Sequence, residues 1–202
     1  AFSQSGFVLG LLELLFLSGC LLALQLMLGE VTLQTPGRHR LVTYVSIYLG
    51  PFWKWIALGV FCLGTWGALL AYLSVGGTFF FNLFSPIFGG DPIVYSYIVG
   101  ICSAMLIAGG LRFASHIEGA IIIGILFLFS IIMIGGVPSI HFQNLLTMTP
   151  SESFLPYGVI LFALAGLGGV PEVKDILGPR RTSWMGPTLV TSMAVITLLY
   201  AA

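Results

Sequence analysis

Between Tyr157 and Asp175 the chain reads YGVILFALAGLGGVPEVKD, and the residues best suited to chemistry lie here. The stretch opens as an apolar membrane span, meets Gly166, Gly168 and Gly169, and then Pro171. Each glycine weakens a helix by about 1 kcal/mol relative to alanine. Pro171 removes a backbone donor and clashes with the preceding turn. A helix broken at membrane depth leaves bare N–H and C=O groups, which protein, a cavity or a ligand must satisfy. Proline at the first helical position with acidic Glu172 behind it is a helix start, so the spacing predicts a second half-helix from Val170. The two half-helices present opposite dipole ends to the gap. Carbonyls near Phe162 to Ala165 suit a cation such as an ammonium, and amides at Gly168 to Val170 suit an anion. A zwitterion needs both. Broken spans of this kind build the substrate sites of many secondary transporters. A Pro/Gly kink with no site attached is the plainer alternative.

The other titratable groups are more isolated. Glu13 lies about 10 Å into the first apolar stretch by helical rise. A carboxylate there is expensive and faces the protein interior or water. It reads either as a protonatable relay or gate for a coupling ion, or as a hydrogen-bonded structural residue. Glu30 ends the same stretch and reads as interfacial. Arg112, His116 and Glu118 gather at the mouth of the fourth stretch. Glu118 is the second coupling candidate, against the plainer reading of a solvated loop, and His116 belongs to the groups that titrate near neutral pH. His39 and His141 read as loop residues without a role. Cys20, Cys62 and Cys102 fall within spans and read as small core residues. They form no metal-ligand spacing with the histidines, and no cofactor is expected.

The elements that must carry these residues are membrane spans. Hydrophobic residues make up 58% of the chain and charged ones 7%, against roughly 25% charged in soluble domains. That excludes a soluble or nucleic-acid-binding role. Five stretches are long enough to cross a bilayer: 7–29, 55–84, 93–111, 119–137 and 154–173. A sixth runs from near Pro187 to Ala202, 16 residues, which is short. Residues 41–50 read as a short interfacial helix ended by Gly50-Pro51. Ser85-Pro86 and Gly89-Gly90-Asp91-Pro92 read as a turn, and residues 138–153 as a loop with a short surface helix. The lead AFSQSG reads as the exit of an earlier span, so the chain is expected to be a fragment. All seven basic residues sort to one side if the spans alternate: Arg38, Arg40, Lys54, Arg112, Lys174, Arg180 and Arg181. The positive-inside rule then makes loops 30–54, 112–118 and 174–186 cytoplasmic and puts residue 1 outside. Trp53, Trp55 and Trp184 mark the inner boundary, whereas Trp66 lies within its span, where its indole N–H wants a partner.

These residues resemble the amino acid permeases of the APC superfamily, nearest the amino acid/auxin and aromatic amino acid permease branches. GVILFALAGLGGVPEVKDIL is similar to their sixth helix, and AFSQSGFVLG to the end of their first helix and start of the second. Gly29-Glu30, Thr35-Pro36-Gly37, Tyr44 and Gly50-Pro51 resemble their second-to-third-helix connection. Ala71-Tyr72-Leu73 with Gly76 resembles the third helix. The resemblance implies an all-α, polytopic transmembrane bundle, part of a LeuT-like five-plus-five inverted-repeat fold. Residues 1–202 would form one incomplete transporter domain, from the end of helix one through part of helix seven. It implies an amino acid substrate at mid-membrane, driven by a proton or sodium gradient. The helix-six substrate candidates are Phe162, Ala163, Leu164, Ala165, Gly166 and Leu167. Phe162 would face the substrate, and small residues such as Gly168 would leave room beside it. Trp66 and Tyr72 are further candidates on helix three, with packing as the plainer role. A polytopic membrane enzyme needs paired acids, a histidine cluster or a nucleophile at depth, and Glu13 stands alone. A channel needs a filter loop or rings of charge, and neither is visible.

Overall fold

The computed structural model describes residues 6–109, 111–136, 155–178 and 180–201. Every regular element among them is helical: α1 (Phe7–Gln34), α2 (Leu41–Leu49), α3 (Pro51–Phe88), α4 (Pro92–Ala108), α5 (Leu111–Gly136), α6 (Leu155–Ala163), α7 (Val170–Leu177) and α8 (Met185–Ala201). Short 3-10 turns at Leu167–Gly169 and Thr182–Trp184 precede α7 and α8. Phe7–Gln34, Pro51–Phe88 and Thr182–Ala201 are long and apolar enough to cross a membrane, and Pro92–Ala108 and Gly119–Gly135 are shorter apolar helices. The chain divides into two compact units, residues 1–54 with 137–202, and residues 55–136.

In the first unit α1 is the central post. Its buried stripe is Gly10, Leu14, Leu17, Ser18, Leu21, Gln25, Gly29 and Thr32, the three-, four- and seven-residue spacing of one helix face. Leu14, Leu17 and Leu21 pack with Ile160, Leu164 and Met193, joining α1 to α6 and α8. Lower down, Val170, Met185 and Leu189 form a second cluster beside Leu26. Gly29 lets α8 come close: a Cβ there would lie 3.3 Å from Leu189 Cδ1. Such close approach by small residues is how helices associate where lipid is as apolar as the side chains. Ser18 and Thr32 return their hydroxyls to Leu15 O (3.0 Å) and Gly29 O (2.7 Å), so neither leaves a polar atom bare.

The connection after α1 is pinned to α7. Lys174 Nζ donates to Thr35 O (2.8 Å) and Gly37 O (3.1 Å), and Arg40 donates to Glu172 Oε1 at 2.8 Å. Arg38 and Asp175 lie 3.8 Å apart. The Arg40–Glu172 pair is well exposed, so its direct contribution is about 0–1 kcal/mol; the backbone bonds of Lys174 do more to fix the loop. His39, expected to be idle, bonds Pro36 O at 3.0 Å and stands edge-on to Tyr44. Burial, then the Asp175 carboxylate and the Tyr48 phenol, hold the Tyr44 phenol above its ordinary range, so it stays neutral at physiological pH.

Within the second unit, α3 and α4 cross at small residues. A Cβ on Gly77 would collide with the Ser96 hydroxyl and lie 2.7 Å from Ser96 Cα, whereas one on Gly76 would meet Val99 at 3.5 Å. The turn between them places Gly89 (φ 65) and Gly90 (φ 99) in the left-handed region. Asp91 caps α4 by accepting from Ile93 N at 3.2 Å, with Pro92 in the first turn. Gly77→Val is therefore expected to destabilise the protein by about 3 kcal/mol, at the upper end for overpacking because backbone and not a side-chain tip must yield. Gly76→Ala should be nearly silent. Melting of both variants in detergent checks the pair; equal melting temperatures would remove the crossing as a constraint.

Several expectations need correction. α1 runs on to Gln34, so Glu30 lies inside the helix and does not end it. Ser85-Pro86 belongs to α3, which ends only at Phe88; the uncharged run continues far enough to hold helix past a proline that sits near its end. Residues 112–118 are helical and not a loop, because α5 starts at Leu111, and the side chains of Arg112, His116 and Glu118 lie outside the described residues. The sixth span starts at Met185 behind its 3-10 turn, making a 20-residue segment from Thr182. Cys20 and Cys102 are exposed and Cys62 is intermediate, because the apolar faces that carry them turn outward and not into these cores. The expected surface helix at 138–153 lies outside the described residues.

Candidate functional site

The interrupted helix is present. α6 ends at Ala163, a 3-10 turn occupies Leu167–Gly169, and α7 begins at Val170. The last bonds of α6 are Leu164 N to Ile160 O (2.9 Å) and a tightened Ala165 N to Phe162 O (3.3 Å). After the gap, Gly169 N bonds Gly166 O at 3.0 Å and Val170 N bonds Leu167 O. Among the described residues, the carbonyls of Ala163, Leu164 and Ala165 and the amides of Gly166, Leu167 and Gly168 make no backbone hydrogen bond. This is an array of bare acceptors followed by bare donors, as the facing ends of two half-helices present.

Packing holds both ends of the break. Leu164 (4% exposed) is locked in the α1–α8 core, and Val170 (1% exposed) and Pro171 are fully buried below it. Between these anchors Ala165, Gly166, Gly168 and Gly169 are exposed and Leu167 is half-buried. Ala163 is half-buried and Phe162 exposed. Leu164 is thus an anchor whose side chain points into the core, and the small residues form the open face. Trp66 and Tyr72 are exposed residues of α3 in the second unit.

Glu13 lies on α1 in the same unit as the break. Its Oε2 is buried and has no hydrogen-bond partner among the described residues. Thr197 Oγ1 on α8 is in the same condition. Among the described residues no group of three His, Cys, Asp or Glu side chains gathers to hold a metal ion.

Sequence reasoning missed Gln25. It is 8% exposed, makes no hydrogen bond among the described residues, and places Nε2 3.1 Å from where a Gly166 Cβ would be. The signal was available: Ser18, Gln25 and Thr32 recur at seven-residue intervals, on the face that Leu14 and Leu21 bury. The second unit holds a groove of about 710 Å³ lined by Phe80, Phe84, Phe88, Tyr95 and Ile98 among others, almost wholly apolar. It offers little to a zwitterion.

Residues 1–168 match the model of the tryptophan/tyrosine permease family. No curated protein and no solved structure matches the chain.

Proposed function

Because the chain belongs to the tryptophan/tyrosine permease family, which implies an amino acid transporter, we propose that it carries aromatic amino acids by ion-coupled alternating access. The observation that supports this most is the interrupted helix, whose bare carbonyls and amides between Ala163 and Gly168 face opposite charges of an amino acid head group. Substrate would meet Phe162 and the open stretch Ala165, Gly166, Leu167 and Gly168, with Ala163 and Leu164 supporting them from behind. Trp66 and Tyr72 are proposed as side-chain contacts contributed by α3. The coupling ion is a proton or sodium, with Glu13 and Glu118 as its candidate acceptors. A LeuT-like inverted-repeat fold of the APC superfamily is the architecture this reading adopts. The cell membrane is its proposed location, with residue 1 outside and the basic ends of the helices in the cytoplasm. The contacts of Arg38 and Arg40 with α7, near Lys174, support placing those basic residues at one end of the first unit.

The test is uptake by the intact protein in proteoliposomes. Labelled tryptophan, tyrosine and leucine are offered under an imposed proton or sodium gradient. Concentrative uptake of tryptophan or tyrosine that an ionophore collapses is the expected result. Absence of uptake for every amino acid, in liposomes shown to hold folded protein, would leave the break as a kink.

A further inference from the structure

We infer that Gln25 is a positioning residue of the interrupted helix: its unpartnered carboxamide, packed beside Gly166, turns to pair with the bare peptide groups and sets the shape that receives substrate. The inference rests on the transport reading above and adds to it a residue on α1, outside the broken helix. Two independent observations carry it. One is the break, whose peptide groups from Ala163 to Gly168 lack backbone partners among the described residues. The other is a buried polar side chain that nothing else occupies. Gln25 is more than nine-tenths buried, forms no hydrogen bond among the described residues, and sets Nε2 3.1 Å from the Gly166 Cβ position.

Ser18 and Thr32 share its face but return their hydroxyls to their own helix. Gln25 has the longer side chain and reaches across to the other segment. A carboxamide carries two donors and one acceptor oxygen, so it can serve a bare carbonyl or a bare amide. Its terminal torsion is broad, and rotation alone redirects either end. Gly166 makes the approach available, since any side chain at that position would press on the amide.

The test uses the intact protein in proteoliposomes with labelled tryptophan or tyrosine, and amide hydrogen exchange on the same purified protein. Gln25→Met keeps the length of the side chain and removes the amide. It is expected to raise the KM for uptake at least tenfold without lowering the melting temperature. Exchange in peptides covering 163–169 should speed up at least tenfold. Gln25→Glu separates donation from filling: a protonated carboxyl can donate to a carbonyl, and a carboxylate cannot. Its KM relative to wild type at the same pH should fall toward one as the pH drops, while the methionine ratio stays flat. A methionine variant with wild-type KM and wild-type exchange overturns the inference. Should wild type take up no amino acid, the transport reading fails by itself, and the exchange measurement still decides whether Gln25 holds the break.

Discussion

Gly166→Leu is expected to lower uptake by about 100-fold or more in a protein that still folds. The backbone at Gly166 (φ −128, ψ 7) is open to L residues, so the glycine is not there for its conformational freedom. It is there for space. A Cβ alone would sit 3.1 Å from Gln25 Nε2, tighter than ordinary contact, and the branched carbons of leucine extend further along the same direction. The Gln25 carboxamide is the tip of a flexible side chain and can yield to a Cβ, but the further carbons of leucine reach past it toward the buried stripe between Leu21 and Gly29. The segment from Ala165 to Gly169 is exposed, so the break and not the core gives way. Displacing reacting or bound groups by about 1 Å costs roughly 100-fold in enzymes, and a substrate clasped by peptide groups is equally sensitive to their placement. Gly166→Ala, with only the Cβ, is expected to retain part of the activity. Uptake in proteoliposomes beside melting in detergent checks this; a leucine variant that transports at the wild-type rate would show that substrate does not bind at the break.

Much of this site could be read from residue types. Three glycines around a leucine, with a proline and an acid behind them, oppose a continuous helix and predict the start of α7 at Val170, while leaving open whether the interruption is a site or a kink. Helix ends were less legible. Apolar runs do not distinguish helix from the turn that follows, which is why Ser85-Pro86 read as a turn and residues 112–118 as a loop. Side-chain direction was least legible. Leu164 and Ala165 are neighbours of similar character in sequence, yet one is anchored in the core and the other is exposed. The partner of the break was hidden for a related reason: Gln25 and Gly166 are far apart in sequence, and only the packing of α1 against the interrupted helix brings them together.

Replacing Glu13 by glutamine is expected to uncouple transport without stopping it. Glu13 Oε2 is buried on a membrane-spanning helix with no hydrogen-bond partner among the described residues. A charge at the centre of a membrane helix costs about 2.5–3.5 kcal/mol on insertion scales, and a buried polar atom left bare carries a penalty of its own. A purely structural carboxyl would find a donor. One that must gain and lose a proton during a cycle is served by a place where no fixed partner commits it to either form. Glutamine keeps the shape and polarity of the neutral acid and removes only the exchangeable proton. The variant should therefore exchange labelled for unlabelled substrate at near the wild-type rate. Its accumulation against a gradient under an imposed proton gradient should fall at least tenfold. Glu13→Leu would lose polarity as well and separates the two roles: a structural carboxyl predicts a lowered melting temperature for leucine and intact coupling for glutamine. Proton-driven accumulation by the glutamine variant equal to wild type would remove Glu13 from the coupling path. It would shift attention to Glu118, on the segment where α5 begins.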